Sequence, residues 1–131
     1  MYTTKVKDLM TRDLITVNAS EDVISVSKLM IEKNIGSVIV VDEFKPIGII
    51  TERDIVKQVI ENCVELCNIP AKDIASKNLI TISPNESIKK ALMTMHKHRI
   101  KRIPVQNSET DELVGIITTQ DIVAAFNTLE L

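Results

Sequence analysis

The sequence predicts an α/β (α+β) chain in which one β-α-β-β-α unit is used twice. Three observations carry this. Gly48-Ile49-Ile50-Thr51-Glu52-Arg53-Asp54-Ile55-Val56 returns as Gly115-Ile116-Ile117-Thr118-Thr119-Gln120-Asp121-Ile122-Val123, with seven of nine positions identical. Upstream the likeness continues at an offset of 80 − 15 = 65: Leu14-Ile15-Thr16-Val17 meets Leu79-Ile80-Thr81-Ile82, and Lys7-Asp8 meets Lys72-Asp73. Glu21, Met30, Ile35 and Val40 likewise meet Glu86, Met95, Ile100 and Val105. Finally, short β-branched runs alternate with segments of helical period in both copies. The terminal motif sits at 115 − 48 = 67, so the second copy carries two extra residues. They fall in Ser108-Glu109-Thr110-Asp111-Glu112, an acidic and polar stretch that reads as a lengthened hairpin loop. Such an internal repeat, read first, fixes the architecture.

Each copy begins with a strand, Ile15-Thr16-Val17 or Ile80-Thr81-Ile82. Asn18-Ala19-Ser20-Glu21 and Ser83-Pro84-Asn85-Glu86 follow as capping-box patterns, the second with Pro at the first helical position. The helix after each shows an apolar face of Val23, Val26 and Met30, or of Ile88, Ala91, Leu92 and Met95. Mostly apolar runs, Ser37 to Asp42 and Ile103 to Gln106, then read as buried strands. A turn containing Lys45-Pro46, or the acidic loop, leads to a second strand over 47–50 or 114–117. The last helix starts at Thr51 or Thr118; in the first copy Val56, Val59, Ile60, Cys63, Val64 and Cys67 form its apolar stripe. Proline at Asn68-Ile69-Pro70 ends that helix, which divides the chain into repeat 1 with its connecting helix (1–67) and repeat 2 (68–131). Neither copy buries its apolar faces alone, so the two are expected to pack on each other.

Composition excludes several classes. The 131 residues suffice for one compact domain with a real core. The three aromatics and a net charge of −2 speak against a nucleic-acid footprint. No apolar run approaches the ~20 residues that span a bilayer, and Met1-Tyr2-Thr3-Thr4 begins no signal peptide, so a cytoplasmic protein with no membrane contact is expected. Cys63 and Cys67 share a helix face by their spacing and read as small apolar residues, lacking companions at zinc-ligand spacing.

Both copies end in Gly-x-x-Thr-x-x-Asp, where a strand hands over to a helix N-terminus. Backbone amides and a carboxylate meet at such a junction, which suits a phosphate and a pair of sugar hydroxyls. Thr-x-x-Asp is equally an ordinary helix start, Thr capping and the acid in the first turn. A second constellation is asymmetric. His96-Lys97-His98-Arg99-Ile100-Lys101-Arg102 is strongly basic, whereas the first copy has Ile31-Glu32-Lys33-Asn34-Ile35-Gly36-Ser37. A solvated basic turn at a helix C-terminus is the plainer account of it. Catalysis finds no support: His96 and His98, two apart, point to opposite sides of a helix, and neither a nucleophile motif nor a P-loop is present.

The element order, the paired Gly-x-x-Thr-x-x-Asp motifs, Lys7-Asp8-Leu9-Met10, Ile15-Thr16-Val17 and Ile103-Pro104-Val105 resemble the tandem CBS-domain (cystathionine-β-synthase domain) family, the Bateman module, over roughly Val6 to Val123. The resemblance implies two repeats about a pseudo-twofold axis with two clefts between them. It also implies an adenosine-containing regulatory ligand (AMP, ADP, ATP or S-adenosylmethionine) rather than a catalytic cofactor. Carried over, Asp54 and Asp121 would each accept from a ribose diol, since a carboxylate has two acceptor oxygens for two neighbouring hydroxyls. Thr51 and Thr118 would offer hydroxyls, and Gly48 and Gly115 would permit close approach. Lys101 and Arg102 occupy the places where kinase-regulating relatives contact phosphates, and Arg53 is a third such contact with a neutral counterpart, Gln120. Ile15, Thr16, Val17, Ile80, Thr81 and Ile82, with Val38 and Ile103, are candidate walls for adenine. The family further implies a homodimer and a partner protein that reads the ligand state. The rival reading is the same fold with empty sites, used as a dimerising scaffold.

Overall fold

The computed structural model describes residues 4–62, 68–77 and 79–128. Cys63, Val64 and Cys67 lie outside the described residues. The elements run α1 (Val6–Leu9), β1 (Thr16–Asn18), α2 (Val23–Lys33), β2 (Ser37–Asp42), β3 (Lys45–Thr51), α3 (Glu52–Asn62), α4 (Ala71–Ile74), α5 (Ile88–His98), β4 (Arg102–Gln106), β5 (Leu113–Thr118) and α6 (Thr119–Thr128). None of the described helices is long and apolar enough to cross a membrane.

The chain divides into two compact units, one of Ile15–Leu79 and one of Met1–Leu14 with Ile80–Leu131. Repeats in sequence and units in space are therefore cut at different places. The reason lies in the short helices α1 and α4, which lead into the two copies at matching positions. Each lead packs on the other copy. Val6 N–H donates to Glu86 O at 2.8 Å and Lys7 N–H to Pro84 O at 2.9 Å. Sixty-five residues on, Ala71 N–H donates to Glu21 O at 2.7 Å and Lys72 N–H to Ala19 O at 3.0 Å. The chain leaving each lead then pairs with the strand bearing the Gly-x-x-Thr motif: Thr11 bridges Ile116, and Ser76 bridges Ile49.

In the Ile15–Leu79 unit β1 lies parallel to β2, and β2 antiparallel to β3, in the order β1-β2-β3. The core collects Val17, Val26, Met30, Val38, Val40 and Ile50, with Ala71 from the exchanged lead. In the other unit Ile82, Ala91, Met95, Ile103, Val105 and Ile117 repeat these places, with Val6 from its lead. Ile50 and Ile117 are fully buried, each removing apolar surface from water at a gain of roughly 1.5–3 kcal/mol. Val38 and Ile103, read as candidate walls for adenine, are 1% and 0% exposed and belong wholly to these cores.

Several local expectations are corrected. Ile80-Thr81-Ile82 is not a strand like its counterpart: it makes one parallel bridge, Ile82 to Val105, through Ile82 N–H to Pro104 O and Gln106 N–H to Ile82 O. The next rung would need an N–H at residue 104, which proline lacks. At the equivalent place the first copy has Ile39, which pairs with Thr16. The helices also start later than the capping-box patterns suggest. Their N-caps are Asp22, accepting from Ser25 N–H, and Ser87, accepting from Lys90 N–H. Asn18 and Ser83 instead close tight turns on Ser20 and Asn85, which turns the carbonyls at 19 and 21, and at 84 and 86, toward the exchanged leads. Leu92, assigned to the apolar face of α5, is 40% exposed.

Lys45-Pro46 is strand rather than turn. The β2–β3 hairpin reverses at Glu43 and Phe44, with φ of 48° and 68°, the two-residue turn whose twist suits a hairpin. Pro46 is tolerated because β3 is an edge strand and a bulge separates the pairs Val40–Gly48 and Val41–Pro46. The second hairpin bulges at the same place, between Val105–Gly115 and Gln106–Leu113, and carries its extra residues in the loop as read. The stripe Val56, Val59 and Ile60 on α3 stays outside the core, with exposures of 56%, 47% and 72%.

Candidate functional site

The strand-to-helix junction is built the same way twice. Thr51 ends β3 opposite Ser37, and Glu52 N–H donates to Gly36 O at 3.1 Å, so the start of α3 is anchored to the segment entering β2. Thr118 ends β5 opposite Arg102, and Thr119 N–H donates to Lys101 O at 2.9 Å. The register thus brings Lys101, Arg102, Thr118 and Asp121 together in one unit. Gly36, Ser37, Thr51 and Asp54 form the matching corner in the other.

At both corners the acid closes a reciprocal cap. Asp54 Oδ2 accepts from Thr51 N–H at 2.8 Å and from the Thr51 hydroxyl at 3.0 Å, while Asp54 N–H donates to Thr51 Oγ1 at 3.3 Å. Asp121 Oδ2 accepts from Thr118 N–H at 2.9 Å, and Asp121 N–H donates to Thr118 Oγ1 at 3.1 Å. The helix-start account of Thr-x-x-Asp therefore holds for the chain by itself. It leaves chemistry to spare, since each carboxylate has a second oxygen. In the Asp121 corner that oxygen is taken: Thr11 Oγ1 donates to Asp121 Oδ1 at 3.0 Å. In the Asp54 corner Oδ1 receives no hydrogen bond among the described residues. Thr11 was not among the residues singled out from the sequence. The available signal was its offset partner, Ser76, a hydroxyl residue at the same distance from the Lys-Asp pair.

Cationic groups gather unequally. Lys101 is exposed and Arg102 half-buried, and they replace the Gly36 and Ser37 of the other corner. α5 ends in a left-handed Arg99 with φ of 55°, and Ile100 N–H closes on Met95 O at 3.0 Å, which turns the chain out of the helix and into Lys101. Arg53 stands exposed in the first turn of α3. Among the described residues the ion pair formed is Lys57 with Glu61 at 3.9 Å, so Arg53, Lys101 and Arg102 have no carboxylate partner there.

The glycines serve the chain itself. A Cβ on Gly48 would lie 2.6 Å from Ser76 O, and one on Gly115 2.9 Å from Thr11 O and 2.7 Å from Met10 Sδ. Their bare backbone admits the segments that follow the exchanged leads. Ile15 enters its sheet at the end that holds Ser37 and Thr51, and Ile80-Thr81 reaches its unit at the end that holds Arg102 and Thr118. Ile15, Ile80 and Thr81 are half-buried and Thr16 exposed, whereas Val17 and Ile82 are core. Among the described residues no group of three or more His, Cys, Asp or Glu side chains is placed to hold a metal ion.

The family model for the CBS domain matches residues 6–61 and 71–128. An uncharacterized protein of Methanopyrus kandleri is 36% identical over 93% of the chain, which spans 62% of that relative's length. A crystal structure of an uncharacterized conserved protein from Pyrococcus horikoshii superposes with a TM-score of 0.87 at 32% identity, covering 100% of this chain and 97% of that one. The CBS domain pair of protein MJ0100, solved in complex with 5-methylthioadenosine and S-adenosyl-L-methionine, superposes with a TM-score of 0.84 at 31% identity over 95% of this chain and 96% of that one.

Proposed function

The chain belongs to the CBS-domain family, and from that premise we propose that it is a regulatory module whose Thr-x-x-Asp corners take an adenosine-containing compound. The observation that carries the reading is the doubled corner: a helix N-terminus, a threonine and a carboxylate, joined in both copies by the same reciprocal backbone cap. Backbone amides there favour an anion, and the carboxylate matches a ribose diol. The MJ0100 pair supports the adenosine part, because both of its bound compounds carry one.

AMP, ADP and ATP fit the Asp121 corner best. Arg102 presents a planar fork to phosphate oxygens and Lys101 adds a point charge, neither engaged by a carboxylate among the described residues. S-adenosylmethionine is the second reading, favoured by the MJ0100 complex. Its sulfonium would gain nothing from Lys101 and Arg102, and the Asp54 corner, with Gly36 and Ser37 in their places, suits it better. Binding alone switches nothing. The ligand must prefer one arrangement of the chain over another, and a partner protein or a second copy must read the difference.

Thermal unfolding with AMP, ADP, ATP, S-adenosylmethionine, 5′-methylthioadenosine and adenosine tests the proposal. A ligand at 100 times its dissociation constant adds about 2.7 kcal/mol, which raises the melting temperature by several degrees. Stabilisation by the phosphorylated compounds, reduced by Arg102→Ala, is the expected result. Stabilisation by S-adenosylmethionine or 5′-methylthioadenosine alone selects the second reading. No shift with any of the six overturns ligand sensing and leaves a scaffold.

A further inference from the structure

Of the two hydrogen bonds by which the corners differ, one comes from outside the repeated motif. Thr11 belongs to the exchanged lead, and its backbone is fixed on β5 by Thr11 N–H to Ile116 O at 2.9 Å and Ile116 N–H to Thr11 O at 3.0 Å. From there its hydroxyl reaches Asp121 Oδ1 at 3.0 Å. Ser76 is held on Ile49 in the same manner, yet its hydroxyl makes no hydrogen bond among the described residues, and Asp54 takes the Thr51 hydroxyl on Oδ2 instead. Each carboxylate thus accepts two hydrogen bonds among the described residues: Asp54 takes both on Oδ2 and both from Thr51, whereas Asp121 takes one on each oxygen, with Thr11 supplying the one on Oδ1.

We infer that Thr11 is a specificity-determining residue of the Asp121 corner: its hydroxyl stands where a ribose hydroxyl would bind and must be displaced when the ligand enters. The inference rests on the proposed adenosine site and adds how that site is tuned. A ribose diol needs both acceptor oxygens of Asp121. Oδ2 is held by the helix cap in either state, shared with the ligand through its second lone pair. Oδ1 can serve Thr11 or the ligand in the same direction, but not both. Displacement requires only rotation of the Thr11 side chain, because its backbone bonds to Ile116 are independent of the hydroxyl. At the Asp54 corner no donor from outside the motif takes Oδ1 among the described residues, and the Thr51 hydroxyl falls on the oxygen that already holds the cap. For adenosine itself the Asp54 site is therefore the first to fill, with the Asp121 site responding at higher ligand concentration. The cationic pair Lys101 and Arg102 offsets this for phosphorylated ligands, so the handicap is largest for adenosine itself.

The test isolates the Asp121 event by titrating AMP, adenosine and S-adenosylmethionine into the Asp54→Asn chain by calorimetry, with and without Thr11→Val. Removing a hydroxyl that competes for a charged acceptor is expected to tighten binding by about fivefold to tenfold. Thr11→Ser, which restores the hydroxyl, should return the affinity to that of the parent. With 2′,3′-dideoxyadenosine monophosphate the advantage of Thr11→Val should vanish, a readout that mere loosening of the lead would not give. Asp121-dependent binding that is unchanged or weakened by Thr11→Val overturns the inference alone. Absence of binding by all three compounds in the unsubstituted chain overturns the reading of the site, and this inference with it.

Discussion

Gly48→Ala is the sharpest test of how the exchanged leads are held. The added Cβ would sit 2.6 Å from the carbonyl oxygen of Ser76, 3.0 Å from Ala75 Cβ and 3.3 Å from Ser76 C, so the obstacle is backbone and a short side chain with no rotamer to yield. Gly48 has no positive φ, and the argument is steric alone. Relief requires the 75–76 segment to move off β3. That strains or breaks Ser76 N–H to Ile49 O at 2.9 Å and Ile49 N–H to Ser76 O at 3.3 Å. Overpacking of this kind costs about 1–3 kcal/mol, and each lost hydrogen bond about 1 kcal/mol more, so a loss of about 2–4 kcal/mol is expected. In a chain of this length that is a fall of roughly 10 °C in melting temperature. Gly115→Ala meets Met10 Sδ at 2.7 Å and Cγ at 3.1 Å, the bendable end of a long side chain, with Thr11 O at 2.9 Å as its one stiff neighbour. It should cost about half as much. Thermal and urea unfolding of the two variants decide the matter. Gly48→Ala melting within about 2 °C of the parent, or Gly115→Ala proving the worse of the two, would refute the account of the glycines.

Further outcomes follow from the caps and turns. Asp54→Ala and Asp121→Ala should each remove one ligand-binding event by calorimetry while costing only about 1 kcal/mol of stability, the worth of a cap; wholesale unfolding would make the acids structural and nothing more. Replacing Glu43-Phe44 by Asn-Gly should stabilise the hairpin by about 1–2 kcal/mol in urea unfolding, since both residues now occupy the left-handed region and Phe44 is fully exposed there. The Asp22 carboxyl is held below its ordinary value of 3.8 by Ser25, through its N–H first and its hydroxyl second. A folded value below the unfolded one means stability that is complete above 3.8 and is lost as pH falls through the lower folded value. The gap in stability between the parent and Asp22→Asn should therefore be open at neutral pH and close in acid; a gap that widens in acid would reverse the sign and sink the assignment.

The duplication, the two hairpins and both Thr-x-x-Asp corners were legible in sequence because they repeat at fixed offsets with their chemistry intact. What stayed hidden has local physical causes. Pro104 limits the β-branched run Ile80-Thr81-Ile82 to a single bridge, although every residue in it favours a strand. Asn18 and Ser83 look like caps and make turns, because their carbonyl neighbours are needed by α4 and α1. The exchange itself is invisible to any comparison of offsets: Lys7-Asp8 matches Lys72-Asp73 whichever copy each lead covers. The difference between the corners was half visible. Lys101 and Arg102 against Gly36 and Ser37 is a fact of sequence. Thr11 on Asp121 is a contact across 110 residues that no spacing announces.

The crossing of the leads sets a timetable for the nascent chain. The Ile15–Leu79 unit is contiguous and holds every segment it needs once residue 79 has left the ribosome. The lead made before it must wait: Val6 for Glu86, 86 − 6 = 80 residues later, and Thr11 for Ile116, 116 − 11 = 105 residues later. At synthesis rates of about 5–20 residues per second the amino-terminal lead stays unclaimed for roughly 4–20 s, with Val6, wholly buried in the end, still bare. A single copy severed at the repeat boundary would fare worse. It would carry the lead its neighbour wants and lack its own, and only a second molecule offering the same bargain could make it whole.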